Sequence, residues 1–214
     1  QQSAMWQAML MGAGLPCSKR IIINGFITGE GGLKMSKTLG NVVNPIDVIN
    51  EYGTDALRYF MLREINPFED SPFTMEKFKE AYNAHLANGL GNLVSRVMKM
   101  VVDNTVNIPF KNIDIKLENE YKYYIKAFDN YEINKACDVV WNIIQKADKR
   151  IQVEQPFKLI KTDKDNGKKI IEEIGVEVYK IAILLEPLLP DTSKKIKEIV
   201  ENNRTPESPL FIRK

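Results

Sequence analysis

The chain has 214 residues, 44% hydrophobic and 27% charged, and 30 Lys+Arg against 28 Asp+Glu leave a net charge of +2. This is enough for one large domain or two small ones of ordinary globular composition, and the charge balance neither demands nor excludes a polyanionic partner. Cys17 and Cys137 stand apart and outside any C-x-x-C pair, which excludes a zinc knuckle or disulfide framework, gives no metal site, and fits a reducing compartment.

The start, QQSAMWQAMLMGAG, lacks the basic n-region of a signal peptide and lacks an initiator Met, so a piece of a longer protein is expected. No apolar run reaches the roughly 18–20 residues that cross a bilayer. Residues 3–13 read as a buried helix, ended by Gly12, Gly14 and Pro16. The β-branched run RIIINGFI, residues 20–27, reads as a buried strand whose sheet partners lie upstream. Pro45 and Asp47 then open a short helix that Gly53 breaks, and Thr54 or Asp55 caps a second one carrying Leu57, Phe60 and Met61 on one face. A loop with two prolines follows at 65–73. From residue 75 the pattern is helical to 104, with Leu86, Leu90, Leu93, Val97, Met100 and Val101 at spacings of three and four. Gly89 and Gly91 inside it suggest close packing or a kink. Further helices are expected near 118–129, 132–153, 168–186 and 191–203, interrupted at Pro156, Pro187 and Pro190, with an extended tail last. Trp6 and Trp141 sit in apolar helical patterns and read as core residues.

The segment GEGGLKMSKTLGN, residues 29–41, holds four glycines and two lysines, Lys34 and Lys37. Glycine makes the loop deformable, and two ammonium groups on it suit an anion whose charge rises during reaction, such as a leaving pyrophosphate. It is not a P-loop, because G-x-x-x-x-G-K-[ST] does not occur. A surface turn with solvated lysines accounts for the same residues.

KMSKT, followed by LGNVVNP and YGTDALRYFMLRE, resembles the KMSKS region of class I aminoacyl-tRNA synthetases. AMLMGAGLP, FEDSPFTMEKF, NAHLANGLGNLVSR, EQPFKLIK, LLEPLLPDTSKKI and SPLF follow in the order seen in the methionyl branch, so the likeness covers nearly all the chain. The resemblance implies a mostly α fold in three parts. Residues 1–27 would end a Rossmann-type α/β catalytic domain, 28–84 would form the KMSKS loop and stem-contact module, and 85–214 would be an antiparallel helix bundle that binds the anticodon, with a C-terminal tail. It implies ATP with Mg2+ as substrate, methionine and tRNA as partners, and a cytoplasmic location. Lys34 and Lys37 would hold the ATP phosphates and stabilise the transition state, Ser36 would add a hydroxyl donor, and Met35 would pack the loop down. The HIGH signature needs two histidines, whereas this chain has one, His85, which reads as a packing residue. The 214 residues alone are therefore expected to be inactive, and any zinc would belong to an upstream part.

Asn92 and Arg96 are four apart, so they share a helix face away from Leu93, Val97 and Met100. Both offer fork-like hydrogen bonds to base edges. By resemblance they contact the anticodon, with Phe157 standing where the family has a Trp after Pro. Phe can stack on a base but has no indole N–H. Two further departures are Asp148, where the family has Asn, and Gln2, where a His lines the methionine pocket. These keep open a sister synthetase (leucyl, isoleucyl, valyl or cysteinyl) or a non-catalytic RNA-binding module.

Overall fold

The computed structural model describes residues 2–36, 38, 40–117 and 119–214. The chain is mostly helical. Helix α1 spans Gln2–Gly12, α2 Pro45–Tyr52, α3 Thr54–Tyr59, α4 Met75–Ala81 and α5 Asn92–Asp103; α6 spans Asn119–Asp129, α7 Ile133–Glu154, α8 Pro156–Leu159, α9 Lys164–Leu185 and α10 Pro190–Glu201. Strands β1 (Ile27–Thr28) and β2 (Ser71–Pro72) pair in parallel, Ile27 opposite Ser71 and Thr28 opposite Pro72.

Local chemistry sets the element boundaries. The Asn44 side chain accepts the Ile46 N–H at 3.1 Å and Pro45 occupies the first turn, so α2 starts there. Gly53 sits at φ 89°, a conformation that only glycine takes cheaply, and it separates α2 from α3. Thr74 caps α4 by accepting from the Lys77 N–H at 3.2 Å. Helix α4 then runs through a π-helical segment, Tyr82–Gly91, into α5 with helical backbone at both junctions. Residues 75–103 therefore form one continuous helix, and the boundary expected at 84/85 lies inside it. The kink expected from the glycines is this wider-wound segment. At Gly91 a Cβ would lie 3.1 Å from the Leu86 carbonyl oxygen, a tight approach within the π-helical segment, and 3.8 Å from Phe211 of the C-terminal tail, an ordinary contact. That tail is anchored there: the Tyr82 hydroxyl donates to the Ile212 carbonyl at 2.9 Å, and Asn83 exchanges two hydrogen bonds with the Lys214 backbone at 2.7 and 3.0 Å.

Helices α5, α6, α7, α9 and α10 close around one apolar core that includes Leu93, Val97, Met98, Trp141, Ile174 and Ile196. Each such side chain, fully buried, contributes about 1.5–3 kcal/mol. The same core continues through Phe60, Phe73 and Phe78 of the preceding module. Two side chains of α3 lock the module to the bundle. The Asp55 carboxylate accepts the Thr192 N–H at 2.7 Å in the first turn of α10. Arg58 donates to the Leu188 and Pro187 carbonyls at 2.8 and 3.0 Å, in the turn after α9. Asp55 therefore caps a helix 137 residues away and not its own.

Two expectations at the start of the chain fail. Residues 2–12 are helical but none is buried: Met5, Trp6 and Met9 are 59%, 54% and 61% exposed. Trp141, by contrast, is buried as expected. Residues 20–26 are not a strand. Only Ile27–Thr28 faces another strand among the described residues, so Ile21, Ile22 and Ile23 have no ladder to join and stay exposed; Phe26, whose carbonyl accepts the Ser71 N–H at 2.9 Å, is exposed as well.

Candidate functional site

The glycine-rich loop is built on β1. The Gly29 N–H donates to the Leu33 carbonyl at 2.7 Å, and Gly31 and Gly32 take φ of 66° and 76° in the turn between them. Lys34 then bridges back to Thr28 in antiparallel sense. Asn41 fastens the other side: its carbonyl oxygen accepts the Ser36 N–H at 2.8 Å and its amide donates to the Lys34 carbonyl at 3.3 Å. The Ser36 oxygen accepts the Thr38 N–H at 3.2 Å, which leaves its own proton available. Met35 is half-buried against the core, while the Lys34 side chain is exposed. Lys37 lies outside the described residues.

A second site lies where α5, α7 and α8 meet. Arg96, Lys99 and Met100 of α5, Ile151 of α7, Phe157 of α8 and Lys161 line a cleft of about 590 Å³. Gln155, in left-handed conformation at φ 44°, turns the chain between α7 and α8. Pro156 then buries in the first turn of α8 and Phe157 faces out, 44% exposed. The Arg96 Nη1 donates to Asp148 Oδ1 at 2.6 Å, and the Gln152 amide donates to Asp148 Oδ2 at 2.6 Å. Asn92 is exposed one turn before Arg96. The arrangement presents a guanidinium and a flat ring at one concavity, with the Asn92 amide one helical turn away, which suits an unstacked nucleobase.

A third cluster, which local patterns could not disclose, joins the module to the bundle. The Tyr59 hydroxyl donates to Glu64 at 2.9 Å, accepts from Arg63 at 2.7 Å and contacts His85 Nδ1. Arg63 also contacts His85 Nδ1 at 2.9 Å, donates to Asp138 at 3.2 Å, and lies over the Trp141 ring at 5.1 Å. Burial pushes the Tyr59 hydroxyl well above its usual range. His85, 3.6 Å away, with the Tyr59 hydroxyl and the Arg63 charge, holds Glu64 below the usual carboxylate range against the opposing effect of burial. His85 is thus a packing residue with a demanding polar role.

Residues 2–98 match the family described as tRNA synthetases class I (M), and residues 110–209 match the anticodon binding domain of methionyl tRNA ligase. The chain belongs to the methionyl-tRNA synthetase family. A methionine–tRNA ligase of Nostoc sp. is 37% identical over 202 residues, covering 89% of this chain and 38% of the relative. One from Caldanaerobacter subterraneus is 35% identical over 221 residues, covering 97% and 34%. The Mycobacterium tuberculosis methionyl-tRNA synthetase in complex with methionyl-adenylate superposes with a TM-score of 0.85 at 28% identity, covering 98% of this chain and 47% of that one. The chain therefore spans less than half the length of these relatives.

Of the expected site residues, the structure brings Arg96 and Phe157 to one cleft and keeps Asn92 on the same face of α5. Lys34, Met35 and Ser36 share the loop. Gln2 is exposed on α1. Asn41 and Asp148 were not among the expected site residues. An Asn five residues after a loop serine is a usable signal for the first, whereas Asp148 meets Arg96 only through folding.

Proposed function

We propose that the chain is the C-terminal part of a methionine–tRNA ligase, with residues 1–27 the catalytic edge, 28–84 the stem-contact module and 85–214 the anticodon-binding bundle. The carrying observation is the convergence of Arg96 and Phe157 on one cleft beside Asn92. Asn92 and Arg96 supply hydrogen bonds to base edges and Phe157 a stacking surface. In the whole enzyme the methionine carboxylate attacks the α-phosphate of ATP, pyrophosphate leaves, and a hydroxyl at the tRNA end then attacks the methionyl carbonyl, releasing AMP. Lys34 and Lys37 neutralise the leaving pyrophosphate, Ser36 donates to a phosphate oxygen, and Met35 seats the loop; Mg2+ arriving with ATP would supply further positive charge there. Exposure of Lys34 and the available Ser36 proton support this reading.

A hairpin RNA bearing the methionine anticodon CAU, with 4-thiouridine in the loop, tests the proposal by photocrosslinking. Crosslinks are expected on α5 and α8. Crosslinks confined to α1 or α10 would contradict it. A second reading, an RNA-binding module without catalysis, is favoured for these 214 residues taken alone, because the only histidine, His85, is committed to the Tyr59–Arg63–Glu64 cluster.

A further inference from the structure

Arg96 does not enter its cleft as a free guanidinium. Its Nη1 donates to Asp148 Oδ1 at 2.6 Å, and the second carboxylate oxygen is occupied by the Gln152 amide, one turn on in α7, at 2.6 Å. Arg96 and Asp148 side chains are 36% and 34% exposed, so the pair sits at the wall of the cleft and not beneath it. A guanidinium has two edges that can grip a pair of acceptors, Nη1 with Nη2 and Nε with Nη2. Nη1 carries two protons and one of them is taken by Asp148, while Nε and Nη2, the pair that forms the side edge, keep their protons for a ligand. Gln152 in turn fixes the carboxylate that fixes the arginine.

We infer that Asp148 is a positioning and specificity-determining residue: by holding Nη1 it fixes the plane of Arg96 at the cleft with the Nε/Nη2 edge unengaged, suited to a nucleobase with two adjacent acceptors. The inference rests on the RNA-reading role proposed above. Asp148 acts in two separable ways. Its hydrogen bond orients the guanidinium, so that a base with one acceptor, or acceptors at the wrong spacing, cannot be met by side-chain rotation. Its charge neutralises Arg96 in the free protein, so that a phosphate gains less from the same group. Both effects raise selectivity at the expense of indiscriminate attraction for polyanions.

The test uses the 214-residue chain and fluorescence anisotropy with two sets of RNA hairpins, one with a CAU loop and others with a single loop base changed. Arg96→Ala, Asp148→Ala and Asp148→Asn are compared with the parent for affinity, for the ratio of affinities across the set, and for salt dependence. Asn can still accept from Nη1, and Gln152 can turn its amide to accept from the new N–H. Asp148→Asn is therefore expected to hold the ratio within about threefold while steepening the slope of log Kd against log salt by up to about one unit. Asp148→Ala loses the orientation as well, and the ratio is expected to fall by about tenfold, within the range set by one bidentate base contact. If Arg96→Ala binds all hairpins as tightly as the parent, the RNA-reading role of Arg96 falls. If Arg96→Ala weakens binding but Asp148→Ala leaves the ratio unchanged, the RNA-reading role stands and the inference about Asp148 is overturned. A merely structural Asp148 would lower affinity for every hairpin equally in both Asp148 variants, which also overturns it.

Discussion

Asp55→Ala removes the acceptor that holds the first turn of α10. The carboxylate takes the Thr192 N–H at 2.7 Å and is 6% exposed. Without it the N–H stays buried with no partner, a loss of about 1–3 kcal/mol, similar to that of deleting a helix cap. One effect opposes this. Asp55 Oδ1 is buried with no partner, so the alanine also relieves an unfavourable desolvation. The net destabilisation is expected to be about 1–2 kcal/mol, which for a chain of this size lowers Tm by roughly 2–8 °C. Asp55→Asn keeps an oxygen acceptor and should recover more than half the loss. Differential scanning calorimetry reads both. An alanine variant melting within about 1 °C of the parent, or an asparagine variant as unstable as the alanine one, would refute the capping argument.

Three other outcomes follow from the geometry. The carboxyl of Glu64 has a folded pKa below its ordinary value, so its contribution is complete above that ordinary value and is lost as pH falls through the folded one. Melting temperature should therefore drop on acidification below about pH 4.5, and Glu64→Gln should flatten that drop; identical acid profiles would remove Glu64 from the account. Asn41→Ala deletes the bonds to the Ser36 N–H and the Lys34 carbonyl, and limited trypsin digestion should cleave after Lys34 several-fold faster, while equal rates would show that Asn41 does not fasten the loop. The 214 residues alone, given methionine, ATP and pyrophosphate, should show no exchange above the buffer background; measurable exchange would show that the chain carries a catalytic half of its own.

The helices were legible because their signals are local. Leu86, Leu90, Leu93 and Val97 repeat at helical spacing, Asn44 and Pro45 announce α2, and Gly53 ends it. The burial of α1 and of residues 20–26 was not legible, since an apolar run reports what a segment can bury, not what lies beside it. Met5 and Ile23 satisfy the pattern and remain exposed. The joints were invisible for a related reason. Asp55 meets Thr192, Arg58 meets Leu188, and Tyr59 meets His85 across separations of 137, 130 and 26 residues, so no window of sequence contains both partners. In the candidate cleft, Arg96 and Asn92 could be named from spacing and resemblance. That Arg96 is already held by Asp148 depends on how α5 lies against α7.

The central claim is that α5 and α8 form an anticodon-reading cleft, and direct titration of the CAU hairpin tests it most simply. Arg96→Ala should weaken binding of that hairpin by about 1–3 kcal/mol, roughly 5- to 150-fold. Phe157→Ala should weaken it by a comparable amount through lost stacking. If both variants bind the hairpin with the affinity of the parent chain, the cleft does not read RNA.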